Sequence, residues 1–116
     1  MRALLLAVSL LFGTNVMALQ IVVQGAPSCG RWVQDHNAAE RRWEALADEA
    51  WLVGYLSGLS VGRQQDFWGE TKSQGPIDNP SVFLWVTNYC NAHPLDYGDD
   101  AAKQLYKERV LQQKSK

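Results

Sequence analysis

The stretch "WLVGYLSGLSVGR", residues 51–63, decides the fold. It has no proline and no charge before Arg63, and its apolar residues occupy nearly every helical row. Trp51, Tyr55 and Leu59 form one row, Leu52 and Leu56 a second, and Val53 and Val61 a third. A helix that is apolar almost all round needs neighbours on every side. The stretch therefore predicts a small all-α bundle of about four helices, with this helix at its centre. Gly54, Gly58 and Gly62 recur every fourth residue, and Ala50 lies four before the first. Each glycine costs about 0.8–1 kcal/mol against alanine inside a helix, so something must offset the loss. A strip made of Ala50, Gly54 and Gly58 lets another backbone approach closely, and helix packing is the reading for these three. Gly62, just before Arg63 and a polar run, reads as the end of the helix.

The same helix extends upstream. "NAAE", residues 37–40, matches a capping box with Asn37 as N-cap and Glu40 reaching back. Trp43, Leu46, Ala47 and Ala50 share a face, which is expected to point inward. Arg41, Glu44, Asp48 and Glu49 are then the polar side. Before it, "SCGRWVQDHN" reads as a short helix capped by Ser28, with Cys29, Trp32 and Val33 on one side. "LQIVVQGAPS" is an extended lead-in with room for one short strand. Downstream, residues 63–80 form a long loop. "DNPS" then starts a helix, with Asn79 as cap and Pro80 at its first position. Val82, Trp85, Val86, Tyr89 and Cys90 are spaced for one buried face, and Pro94 breaks the helix. A last helix runs from Asp96 or Asp99 to Gln113 with Ala102, Leu105, Tyr106 and Val110 as its stripe. Asp96, Asp99 and Asp100 at its start, and Lys103, Lys107, Arg109 and Lys114 later, complement the helix dipole.

The first residues are a different matter. "MRALLLAVSLLFGTNVMALQ" has a positive Arg2, an apolar run and small residues near Ala18, which is the pattern of a secretory leader. The expectation is a signal peptide over residues 1–18 and a single helical domain over 19–116, in the periplasm or secreted. No apolar run is long enough to span a bilayer, so no membrane insertion follows removal of the leader. Loss of Arg2 takes the formal net charge from −1 to −2, and nothing in the pattern suggests a nucleic-acid surface. Cys29 and Cys90 are the two cysteines. In an oxidising compartment their expected use is a disulfide, worth roughly 4 kcal/mol for a loop this long. Two cysteines and two distant histidines lack metal-ligand spacing, and no cofactor or metal is expected.

Nothing resembles a catalytic constellation. His36 sits beside a helix boundary and His93 precedes Pro94. Ser57 lies mid-helix, where a nucleophile elbow needs a preceding strand. The expectation is a binding protein rather than an enzyme. Of the five tryptophans, Trp32, Trp43, Trp51 and Trp85 fall on predicted apolar faces. Trp68 lies in the polar loop beside Phe67, flanked by Asp66 and Glu70. An aromatic pair with a charged rim suits a partner-binding hot spot; a lid folded back on the helices is the other reading, and both are open.

"SCGRW", "AWLVGYLSGL" and "WVTNYCNAHPLDYGDDAAKQLYKE" resemble pieces of small exported bacterial proteins, the Rap/Tai family of immunity proteins against type VI secretion amidase effectors. Gly54, Tyr55 and Gly58 match that family's helix motif, Cys29 and Cys90 its disulfide, and Pro94-Leu95 its break. The resemblance implies an all-α periplasmic protein that binds and blocks a cell-wall amidase. A protruding loop carries recognition in such proteins, which points to Asp66, Phe67, Trp68 and Glu70. The alternatives are a periplasmic acid-stress chaperone of the helical, disulfide-tied kind, and an envelope protein of another type.

Overall fold

The structure, a computed structural model, describes residues 21–114. The expected leader lies outside them. The elements are α1 (Cys29–Asn37), a 3-10 turn (Ala39–Arg41), α2 (Arg42–Arg63), α3 (Asn79–Ala92) and α4 (Gly98–Lys114). No strand forms among the described residues. The lead-in contributes a single antiparallel bridge between Ser28 and Tyr97.

Local chemistry explains the ends. Ser28 is extended and its Oγ accepts from the Arg31 N–H at 3.1 Å, which starts α1. Ala38 is extended again (φ −117°, ψ 118°), so Asn37 closes α1 and does not cap the next helix. The expected capping box is thereby replaced by an uncapped 3-10 turn. α2 ends one residue beyond Gly62, at Arg63. Its C-cap is Gln64, which takes the left-handed conformation (φ 52°) and donates its N–H to the carbonyls of Ser60 and Val61. The cap of α3 is Asp78 rather than Asn79, with Oδ1 accepting from the Ser81 N–H at 2.9 Å. At α4 the direction is reversed: Asp100, inside the first turn, reaches back and accepts from the Tyr97 N–H at 3.0 Å.

The helices close a ring in which α1 and α4 each pack on both α2 and α3. Trp32, Leu52, Leu56, Val82, Val86, Leu105 and Tyr106 fill it, with Phe67 folded in from the loop. The Cys29–Cys90 disulfide joins α1 to α3, with Cα atoms 4.7 Å apart. Beside it, the Tyr89 hydroxyl donates to Asp96 Oδ2 at 2.6 Å. That bond, with burial, pushes the Tyr89 hydroxyl up to about 12. Gly98 is needed at this end, because a Cβ there would lie 3.2 Å from the Pro27 ring. Its N–H donates to the Pro27 carbonyl at 2.7 Å.

α2 corrects two expectations. It is one wall of the ring and not an enclosed axis. Its inward residues are Ala45, Asp48, Leu52 and Leu56, so the first half is turned over from the apolar reading. Trp43 is 82% exposed, and Leu46, Ala47 and Ala50 face solvent with it. Gly54 and Gly58 are exposed too, and a Cβ at either would meet nothing within 4 Å. Among the described residues no helix approaches along Ala50, Gly54 and Gly58, so packing within them does not explain the glycines. Helical phase accounts for the turn-over: Ala45 and Asp48 continue upstream the face that buries Leu52 and Leu56, and Arg31 of α1 meets Asp48 there at 2.7 Å.

Candidate partner-binding edge

The loop over residues 64–78 is anchored from below by α4. Leaving the C-cap, Gln65 donates its N–H to the Ser60 carbonyl, and its own carbonyl accepts from the Tyr106 hydroxyl at 3.3 Å. Ser60 Oγ accepts from the Phe67 N–H at 3.1 Å. The Phe67 ring then drops into the core, 6.1 Å from the Tyr106 ring centroid. Gln113 Nε2 donates to the Asp66 carbonyl at 2.7 Å.

The central anchor is Arg109, only 4% exposed. Its Nε donates to the Phe67 carbonyl at 2.9 Å and Nη2 to the Gly69 carbonyl at 2.7 Å. Nη1 lies 3.5 Å from Gln74 Oε1. The guanidinium also sits 5.6 Å from the Phe67 ring centroid. Burial pulls the Arg109 pKa down from its usual value, yet a guanidinium keeps its proton in proteins. Its fixed fork holds two backbone carbonyls of the loop at once and reaches the Gln74 side chain. The outer strand of the loop turns at residues 71–74, where Thr71 and Gln74 exchange hydrogen bonds of 2.9–3.3 Å. The Ile77 N–H returns to the Trp68 carbonyl at 3.1 Å.

Of the four expected contact residues, the loop brings Asp66 and Glu70 to the surface. Asp66 Oδ1 accepts from the Trp68 N–H at 2.9 Å, which sets the first turn. Trp68 is half-buried, edge-on to Phe67 with ring centroids 4.9 Å apart. Phe67 is wholly buried and cannot touch a partner. The lid reading therefore holds for Phe67, while Trp68 packs edge-on to it and stays partly exposed. A cleft of about 430 Å³ opens behind the loop, between Gln74 and Ile77, the start of α3 at Ser81 and Trp85, and α4 at Glu108 and Arg109.

A second polar cluster joins α1 to α2. Asp35, 1% exposed, pairs with Arg41 Nε and with Arg31 Nε at 3.4 Å. Asp48, 2% exposed, takes the other end of Arg31, while its Oδ2 is buried without a hydrogen-bond donor. Burial, joined by the charge of Asp35, raises the Asp48 carboxyl above its usual value against the pull of Arg31. Burial acts on Asp35 in the same sense, but Arg41 and Arg31 outweigh it and hold Asp35 low. Next to them His36 stacks on Trp32, with Nε2 3.2 Å from Glu49 Oε1. His93 is exposed and stacks on Tyr89. No nucleophile stands beside either ring in a catalytic arrangement. Among the described residues, no group of three or more histidine, cysteine or acidic side chains could hold a metal ion, and no helix is long and apolar enough to cross a membrane. The salt-bridge cluster and the Arg109 anchor are the features that the sequence reading missed. Both left a trace: Arg31 and Asp35 are four apart on α1, and Arg109 continues the buried row of Ala102, Leu105 and Tyr106. No family model matches the chain, and neither a curated protein nor a solved structure matches it.

Proposed function

We propose that this chain is an exported protein-binding module that acts as an immunity-like inhibitor of a peptidoglycan amidase, with the loop over residues 64–78 as its contact edge. The observation that carries the reading is the Arg109 anchor. A buried arginine holds the loop backbone at Phe67 and Gly69 while the carboxylates of Asp66 and Glu70 stay in water. A loop fixed before it meets its partner loses little conformational freedom on binding, and binding residues concentrate on loops set by a rigid scaffold. The leader pattern and the resemblance to the Rap/Tai family supply the compartment and the partner class. Asp66, Glu70 and the outer edge of Trp68 make the contacts.

The test is inhibition of purified type VI amidase effectors on peptidoglycan, with binding followed by calorimetry. The pair Asp66→Asn and Glu70→Lys, which keeps a side-chain oxygen for the Trp68 N–H, is expected to weaken binding at least tenfold with the melting midpoint unchanged. Trp68→Ala is a poorer probe, since Trp68 also packs on Phe67. An inhibited amidase that binds the double variant as tightly as the parent would move the contact edge elsewhere. No inhibition of any effector in the class would remove the amidase.

A further inference from the structure

The cleft behind the loop has a chemistry of its own. Trp85, Tyr89 and His93 stack in sequence along α3, with ring centroids 5.6 Å and 4.2 Å apart and ring planes within 20° of each other. The spacing is i, i+4, i+8, so the next place toward the helix N-terminus belongs to residue 81. That residue is a serine, and both Ser81 and Trp85 line the cleft. The small side chain leaves room for one more layer on the stack. The cleft, about 430 Å³, falls in the size range of small-ligand sites, roughly 300–1,000 Å³.

We propose that this cleft is a saccharide-binding subsite in which a pyranose ring lies against the Trp85 indole in the place left by Ser81. The lining decides the ligand class by exclusion. An anion is disfavoured, because Asp78 and Glu108 stand at the rim and outweigh the single charge of Arg109. A wholly apolar ligand would leave Gln74, Glu108 and Arg109 to lose water without gaining a partner. A pyranose meets both demands. Its C–H face carries slight positive charge and suits the negative face of an indole, and its hydroxyls radiate outward as both donors and acceptors. Glu108 has one oxygen accepting from Gln104 Nε2 at 3.0 Å, which leaves the other to accept from a hydroxyl. Arg109 Nη1 makes only a 3.5 Å contact to Gln74 Oε1 and can donate to a hydroxyl without releasing the Phe67 and Gly69 carbonyls. Ile77 forms the apolar edge. The site is independent of the amidase reading, since it lies behind the loop and uses neither Asp66 nor Glu70.

The experiment titrates the intact protein with chitotriose, maltotriose and adenosine, followed by amide chemical shifts and tryptophan fluorescence. Isolated sugar subsites bind in the millimolar range, so the titration extends to about 50 mM. The expected result is saturable binding of at least one trisaccharide, with shifts at residues 74–85 and 105–112. Ser81→Leu fills the vacant layer on an exposed position; it keeps the backbone N–H that Asp78 caps and loses the Ser81 hydroxyl bond to the same carboxylate. It is expected to abolish binding with the far-UV spectrum retained. Glu108→Ala is expected to weaken binding about tenfold. Trp85→Ala also removes core packing, so its effect counts only if the far-UV spectrum is retained. Three results overturn the proposal: no saturation by either sugar, sugar binding untouched by Ser81→Leu, or binding of adenosine alone, which would make the stack a site for planar heterocycles.

Discussion

Three positions show how single residues set local stability. Gly58 is in mid-helix, exposed, and free of neighbours. Nothing among the described residues offsets the freedom it loses on folding. Gly58→Ala is therefore expected to stabilise the fold by about 0.5–1 kcal/mol, read as a higher urea midpoint. Gln64 is the converse, a residue with a Cβ at φ 52°. Gln64→Gly is expected to be neutral to stabilising by up to about 1 kcal/mol, although glycine is the weaker residue almost anywhere else. Arg109 has far more at stake. Arg109→Met keeps much of the packed stem and removes every donor to the Phe67 and Gly69 carbonyls. The loss is expected to be about 2–4 kcal/mol. Hydrogen exchange at Thr71 and Ile77, whose N–H groups close the loop, should rise more than exchange in α3. Equal protection in the variant would mean that the loop is held by its aromatics alone.

At the scale of an element, the junction of α1 and α2 behaves as a proton-binding unit. Arg31, Asp35, His36, Arg41, Asp48 and Glu49 face one another there. Asp48 has a raised folded-state pKa, so the folded chain holds that proton more tightly than the unfolded one, and its contribution to stability grows as pH falls toward 3.8. Asp35 has a lowered one, so its contribution is present above 3.8 and is lost only as pH falls through its folded value below that. The junction should therefore stay closed from neutrality down to about pH 4 and weaken below. Urea midpoints across that range should hold or rise. Asp48→Asn, a neutral amide of the same shape, should flatten the rise. A steady fall between pH 6 and pH 4, traced to this junction, would contradict the assignment and favour an acid-opened chaperone. The same junction explains which elements could be read from sequence. α3 came out with its predicted face because Val82, Val86 and Cys90 all belong to the apolar core, so spacing alone reports burial. α1 was capped by Ser28, a purely local bond. The inward face of α2 was misjudged because Leu52 and Leu56 downstream set its phase, and Arg31, which meets Asp48 on that face, lies 17 residues away on another helix. No window of sequence contains that pair. Phe67 went astray in a similar way. It sits in a polar loop, and the Tyr106 ring and the Arg109 guanidinium of α4 make it core. Asp66 and Glu70 were placed at the surface as charge alone dictates.

Across the whole molecule, the disulfide is the tie that the short α1 most needs. Helices under about 12–15 residues are marginal alone, and α1 has nine. Noncovalent links hold it at both ends. The Cys29 N–H donates to the Asp96 carbonyl at 2.8 Å, and Arg31 and Asp35 reach α2 and the turn before it. Trp32 fills the ring interior and donates from Nε1 to Thr87 Oγ1 at 2.9 Å. The sulfur bridge adds a constraint of another kind, because it closes a loop with a sequence separation of 61 and restricts the unfolded chain. In the chain-entropy account this is worth roughly 4 kcal/mol, a large share of the about 5–15 kcal/mol typical of a domain. The paired substitution Cys29→Ala and Cys90→Ala should lower the urea midpoint by an amount equivalent to about 2–4 kcal/mol at 25 °C. If unfolded-state entropy is the main cause, native-state spectra of α2 and α4 should barely change, since the bridge joins α1 to α3. If α1 depends on the bridge for its native contacts, hydrogen exchange at Trp32 and Val33 should collapse toward the rate of a free peptide while α3 and α4 stay protected. The contacts of Trp32 favour the first outcome: a ring seated at the core with a hydrogen bond to α3 keeps α1 docked after the covalent tie is gone.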